Sequence, residues 1–328
     1  MIERVWSWLT GEKHSLYGLA VTRIMLGFII STQLMANFPD RQYTWGDGAI
    51  WTGPVRSGKE WPDLLYVLFA HSGRHVFDAA YVLTIIVGLL LMVGFWTRAS
   101  TILVLFLWLS LYVSNPFVGS GGDAVLRMVL LYMCVVDSGR YWSVDEWLRR
   151  RRGRIVRRTP AWWSATVHNV ALVLIIHQVV MVYVASALWK VQSPLWTGGT
   201  AVYYPLQTEA YSPWLDYIHL LTDHGWIVAS ASYTAIGVQL LVPVLLMFRP
   251  TRFFAVVTLT GMHLGIGILM GILYFSLVMI AVDVLLISDR SWSRAEHEAK
   301  RLLDWLRKKP KTTAGADRED LSDIPTGA

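Results

Sequence analysis

The chain has 328 residues, of which 54% are hydrophobic and only 16% charged, whereas an ordinary soluble domain carries about a quarter charged residues. That balance excludes a soluble globular protein. The net charge of +6 is gathered into short basic segments, which argues for contact with a lipid surface and against nucleic acid as a partner.

In chain order, residues Ile2 to Leu9 form an amphipathic stretch rather than a charged start followed by an apolar block, so no cleavable signal peptide is expected. A membrane-crossing helix needs about 20 mostly apolar residues. Runs of that kind occupy 15–37, 76–96, 99–115, 124–138, 165–189, 225–248, 253–271 and 272–288. The fourth is short, and the last two are divided only weakly, around Gly271. The fold expected is therefore all-α, a polytopic membrane bundle of about eight helices, with seven as the alternative. Trp61 to His71 is apolar but too short to cross, and is expected to lie along the interface or to re-enter the membrane. Ser143, with Glu146 three residues on, reads as a capping box that opens a helix into the basic run Arg149 to Arg158. Ser291 to Lys309 reads as an amphipathic interfacial helix, after a membrane domain over 1–290. Residues 310–328 are polar and read as a disordered tail.

Lys and Arg in short loops mark the cytoplasmic side. The basic loop 140–162, Arg98, Arg249, Arg252 and the tail cations fall on one side if there are eight spans with both termini in the cytoplasm. The loop from Val191 to Asp223 falls on the other side and holds no Lys or Arg. The loop from Pro39 to His75 mixes both signs. The chain is thus expected in the cytoplasmic (inner) membrane of a bacterium. The 17 tryptophans suit a membrane–water interface. The single cysteine, Cys134, gives no compartment signal.

Ionisable residues inside apolar runs usually face a partner or a cavity. Here they are Arg23, Asp123, Arg127, His177, His263 and Asp283, with Lys190 at the mouth of the fifth run. From its position alone, Lys190 is either an anchor that snorkels to the interface or a desolvated base. His263 is either an interhelical hydrogen-bonding residue or a site residue. Asp123 and Arg127, four apart, read as a buried structural pair. His71 and His75 have ligand-like spacing, but the intervening Ser-Gly breaks a helix, which argues against a metal site. The glycine-rich run Gly119 to Gly122 reads as a tight turn rather than a phosphate loop.

Several stretches, taken together and in order, resemble the HTTM (horizontally transferred transmembrane) domain family. It is similar to the membrane region of vitamin K-dependent gamma-carboxylase. The stretches are Ser15 to Arg23; Gly94-Phe-Trp-Thr-Arg98; Asn115 with Gly121-Gly-Asp123 and Arg127; and Arg140-Tyr-Trp-Ser143. They continue with Tyr183 to Lys190, then Trp196 and Gly198, and end with His263, Gly265, Phe275-Ser276 and Val278-Met279. The resemblance implies a base at Lys190. In the carboxylases the lysine of the matching stretch deprotonates a reduced naphthoquinone, and this chain keeps the second lysine of a pair whose first position is Trp189. Such a base must be uncharged near neutral pH, which burial near Trp189 and Trp196 favours.

Asp123 stands where the carboxylases have a histidine that serves carboxylation, and no lumenal region comparable to theirs follows residue 310. Peptide gamma-glutamyl carboxylation is therefore not expected. The expected function is an outer-leaflet site for a lipophilic small molecule, with a quinone or quinol as the candidate cofactor. Lys190, Asp123 and His263 are its candidate catalytic residues, and Trp189, Trp196, Tyr183 and Arg127 its candidate binding residues. The alternative is a non-catalytic accessory that matures or binds a secreted peptide.

Overall fold

The computed structural model describes residues 2–49, 61–70, 72–153, 161–209 and 211–308. Backbone polar groups in an apolar medium must be satisfied within the segment, so the long apolar runs close into helices. After the amphipathic α1 (Ile2–Thr10) come α2 (Leu16–Ala36), α3 (Arg74–Val93), α4 (Thr97–Ser114) and α5 (Gly121–Met133). Next are α6 (Val144–Arg151), α7 (Trp162–Val191), α8 (Gly225–Leu245), α9 (Arg249–Leu269) and α10 (Leu273–Asp283), the last extended by a 3-10 turn at Val284–Leu286. The helix α11 (Asp289–Lys308) lies almost wholly in a separate unit that begins at Arg290, and the other unit is 1–289. The sequence-predicted tail, 310–328, lies outside the described residues.

Eight of these helices run along the bundle. Six are long and apolar enough to cross a membrane by themselves: α2, α3, α4, α7, α8 and α9. α5 and α10 are shorter, yet each returns the chain to the end from which the preceding helix started. After α5, a Cβ on Gly139 would touch Thr97 at the start of α4, and the Asp137 N–H donates to His168 Nδ1 near the start of α7 (3.0 Å). After α10, the carboxylate of Asp289 accepts the N–H groups of Leu16 (3.2 Å) and Tyr17 (3.0 Å), capping α2. The turns at this end carry Arg98, Arg140 and Arg149 to Arg152, so it is the basic end of the bundle.

Local chemistry sets the helix ends. α3 stops at Gly94, whose φ of 70° suits glycine, and the Phe95 N–H turns back to the Leu90 carbonyl (3.0 Å). α4 is started by a distant acid: Asp145 accepts from Trp96 N (2.9 Å), Thr97 N and Thr97 Oγ1 (both 2.7 Å). α5 opens on a full capping box between Ser120 and Asp123, so the Gly119–Gly122 run is a helix start and not the tight turn read from its glycines. At α6 only half of the expected box forms. Ser143 Oγ accepts from Glu146 N (3.0 Å), but the Glu146 carboxylate pairs with Arg150 instead. The apolar stretch after Trp61 turns one side inward, with Phe69 buried edge-on against Phe77 at 5.5 Å, and leaves Trp61, Leu64 and Val67 exposed.

α2 is the centre of the packing. It meets α3 through small residues, and Ser31 Oγ donates across to the Ile85 carbonyl (3.2 Å). A Cβ on Gly27 would lie 2.5 Å from Met92 N and 2.7 Å from Gly88 O. Gly27→Ala therefore forces the two helices apart and is expected to cost about 1–3 kcal/mol. In contrast, Gly237→Ala, where no atom lies within 4 Å of the added methyl, should leave stability unchanged or raised. Melting temperatures of the two variants in detergent provide the check, and equal melting would contradict the close approach.

Candidate functional site

On α7, Tyr183, Ser186, Ala187 and Lys190 recur at helical spacing and form one stripe. Ala187 is fully buried, which lets the neighbouring helices approach. α8 brings Gln239 to this stripe, α9 brings His263 and Met262, and α10 brings Asp283.

The deeper part is a chain of three buried groups. Tyr183 is 1% exposed, His263 2% and Asp283 0%, so none of them has water to turn to. The Tyr183 hydroxyl donates to Asp283 Oδ2 at 2.7 Å and lies 2.9 Å from His263 Nε2. A phenol has a single proton. If it goes to Asp283, His263 must donate from Nε2 into the phenolic oxygen. If it goes to His263, the aspartic acid must donate instead. The geometry accepts both arrangements, so the chain can pass a proton along its length without moving a heavy atom. His263 Nδ1 and Asp283 Oδ1 have no hydrogen-bond partner among the described residues. The His263 ring meets Phe275 edge-on at 5.8 Å.

Lys190 sits further along the same stripe. Its Nζ donates to Ser186 Oγ (2.8 Å) and Gln239 Oε1 (2.6 Å), and lies 4.9 Å from the centre of the Trp196 ring. Both oxygen partners are uncharged, and among the described residues no carboxylate stands within 4.0 Å of Nζ. A snorkelling lysine extends past the end of its helix to reach water. Lys190 folds the other way, back one turn to Ser186 and towards Gln239 well inside α8. The Gln239 amide is held from its other side, with Nε2 3.7 Å from Met262 Sδ.

The structure thus brings Lys190 together with Trp196, and Tyr183 together with His263. The other residues singled out from sequence stand apart. Trp189 is 75% exposed on the outside of α7. The Asp123 carboxylate is used by its own helix start, where it accepts from Ser120 N (2.6 Å) and Ser120 Oγ (2.9 Å). Arg127 donates to the Asp123 carbonyl (3.2 Å) and covers the Tyr112 ring at 3.5 Å. The expected Asp123–Arg127 ion pair is therefore absent, because the cap takes the acid and the aromatic ring takes the cation. The start of α5 still borders the site, since Gly121 and Gly122 lie against Phe275. His177 faces outward, and His71 is outside the described residues.

Sequence reasoning noted Asp283 as an intramembrane acid without assigning it to the site, and passed over Gln239 and Ser186. A lone amide in an otherwise apolar span was the available signal for Gln239. Ser186 is one helical turn before the lysine.

Comparison with known families adds one match. The profile of the HTTM domain matches residues 13–292. The chain belongs to the HTTM family. No curated protein and no solved structure matches it. Within this HTTM domain, most of the stretches that carry the resemblance gather at two places. Arg23, Gly94 to Arg98 and Arg140 to Ser143 meet at the basic end, where Arg23 Nη2 donates to the Trp142 carbonyl (2.6 Å). Tyr183 to Lys190, His263 and Phe275 form the buried stripe.

Removing the central hydroxyl tests whether the three buried groups act as one unit. Tyr183→Phe strands His263 Nε2 and Asp283 Oδ2, each at roughly 1–3 kcal/mol. In a double-mutant cycle with Asp283→Asn, the two changes should be non-additive by about 0.5–3 kcal/mol. Denaturation of the four proteins in detergent measures this coupling, and additive losses would show the groups to be independent.

Proposed function

We propose that this HTTM domain binds a lipophilic small molecule bearing an acidic hydroxyl, a reduced quinone being the expected type, and that Lys190 takes its proton. The observation that carries the reading is the state of Lys190: an amine turned into the bundle, held by a hydroxyl and an amide oxygen beneath an indole, with no carboxylate within 4.0 Å among the described residues. A lysine with a carboxylate partner is locked as the ammonium, whereas one with neutral partners is free to serve as a base. On transfer, the hydroxyl proton moves to Nζ and leaves a quinolate. The new ammonium is met by Gln239 Oε1, Ser186 Oγ and the face of Trp196.

The route in is lateral. Only 22% of the apolar span of α8 and 33% of that of α7 are buried, against 56% for α2, so the helices that carry Lys190 and Gln239 are among those with open apolar faces. The arginines of the basic end support a cytoplasmic assignment for that end, and on that reading Lys190 lies towards the outer leaflet of the bacterial inner membrane. The Tyr183, His263 and Asp283 chain lies on the same stripe and supplies groups that can exchange a proton with the site.

Purified protein in lipid nanodiscs, given a reduced naphthoquinone and air, should consume dioxygen through the quinolate. Lys190→Ala should lower that rate by roughly 10²-fold or more. Lys190→Arg should lower it equally, because a guanidinium cannot give up its proton. Quenching of tryptophan fluorescence by the quinone should persist in both variants. Equal rates in wild type and Lys190→Ala would overturn the base, and absent quenching would overturn the ligand class. Either result would turn attention to a secreted-peptide accessory.

A further inference from the structure

The basic end holds a cavity of about 630 Å³ that the proposed chemistry does not use. It lies between the turn into α4 (Phe95 to Arg98), the segment after α5 (Val136 to Gly139) and α6. Three arginines line it: Arg98, Arg149 and Arg152. Among the described residues Arg149 donates only to carbonyls, Gly139 O from Nη2 (2.6 Å) and Asp145 O from Nε (3.2 Å). The side chains of Arg98 and Arg152 are exposed and make no hydrogen bond or ion pair with the described residues.

Two acids also line the cavity, and both are engaged elsewhere. Asp145 accepts three hydrogen bonds at the start of α4. Asp137 is paired with Lys13 at 3.2 Å. Hydrogen bonds from neutral groups leave the Asp145 charge in place, but three arginines against that one acid, with Asp137 neutralised by Lys13, leave the cavity positive. Beside Thr97 and Ser138, its wall also carries an apolar part made by Phe95, Val136 and Leu148, with Phe95 stacked on Trp96 at 5.4 Å. Trp96 is 70% exposed at the point where α4 enters the apolar layer.

A small inorganic anion needs neither the apolar wall nor the size, since the volume equals roughly twenty waters. A headgroup attached to glycerol and acyl chains uses both. We propose that this cavity holds the phosphate headgroup of one anionic phospholipid from the leaflet at the basic end. The arginines clamp the phosphate, and Phe95, Val136 and Leu148 receive the glycerol and the first methylenes. This is a defined site for one lipid, in contrast to diffuse attraction of the whole basic loop to a charged surface.

Native mass spectrometry of the full chain in mild detergent tests it, with phosphatidylglycerol and phosphatidylcholine of matched chains as probes. The wild type should retain phosphatidylglycerol roughly tenfold better. The double variant Arg98→Gln with Arg152→Gln should lose that preference by about tenfold or more. These two side chains bond to nothing among the described residues, and melting of the variant should match wild type. Leu148→Trp, which fills the cavity without removing a charge, should give the same loss. Arg150→Gln should keep the preference, because Arg150 pairs with Glu146 and does not line the cavity. An unchanged preference in the double variant, an equal loss in Arg150→Gln, or full displacement by millimolar inorganic phosphate would each overturn the lipid site.

Discussion

A fully buried arginine is the constraint on which the basic end of the bundle depends. Arg23 is 0% exposed within α2, and a cation there has to be met by the protein itself. One arm reaches the Trp142 carbonyl at 2.6 Å, while Nε and Nη1 have no hydrogen-bond partner among the described residues. The carboxylate of Asp145, itself held by the start of α4, acts through space on the Arg23 charge. Gly94 must be glycine on two counts: its φ is 70°, and any Cβ would collide with the Arg23 guanidinium. Ser15, Trp96 and Trp142 also adopt positive φ at this end, at 53°, 47° and 48°. Non-glycine residues hold such angles only where the surroundings over-determine them. α2, the α3–α4 turn, the segment after α5 and α6 are thus tied around one charge, and the lipid cavity proposed here opens on the outer side of that knot.

The other buried polar centre is built on the opposite principle. Arg23 faces a carbonyl and the field of an acid, partners suited to a guanidinium, which holds its proton in any protein setting. Lys190 faces an amide and a hydroxyl, which tolerate either form of an amine. The Tyr183, His263 and Asp283 chain likewise contains groups that can each hold or release a proton. Fixed charge at one end and exchangeable protons in the other half suit a scaffold and a reactive site respectively. That contrast lends the proposed base its support.

Most of the bundle was legible in the sequence because length and hydropathy leave little choice inside a membrane. All eight apolar runs correspond to helices whose ends differ by only a few residues from those expected. The errors came from polar groups whose use depends on neighbours distant in sequence. Asp145 starts α4 and Asp289 starts α2, and neither partnership follows from local spacing. Asp123 was assigned to Arg127 because the two are four apart, but the local cap to Ser120 is closer and the arginine has Tyr112. Asp283 could be recognised as an unusual acid, whereas its link to Tyr183, a hundred positions earlier in the chain, required the fold. Trp189 and Trp196 were equal candidates in sequence. Helical geometry separates them, since residue 189 turns away from the stripe that residue 190 continues.

The two halves of the bundle also differ in how much of each helix is enclosed. More than half of the apolar spans of α2 and α4 is buried, against 28% for α9 and 22% for α8. Helices enclosed on most sides pack too densely to admit a guest, and the Gly27–Gly88 contact brings α2 against α3 with no room between them. A lipophilic ligand approaching from the bilayer can only part helices whose faces are open to lipid. Lys190 and Gln239 lie on two such helices, and Trp196, on the short turn Pro194–Thr197, covers them from the end of the bundle. The polar stripe on α7 therefore sits at the seam between the rigid half and the lipid-facing half. This is where an amine can be shielded from water yet still be reached from the membrane.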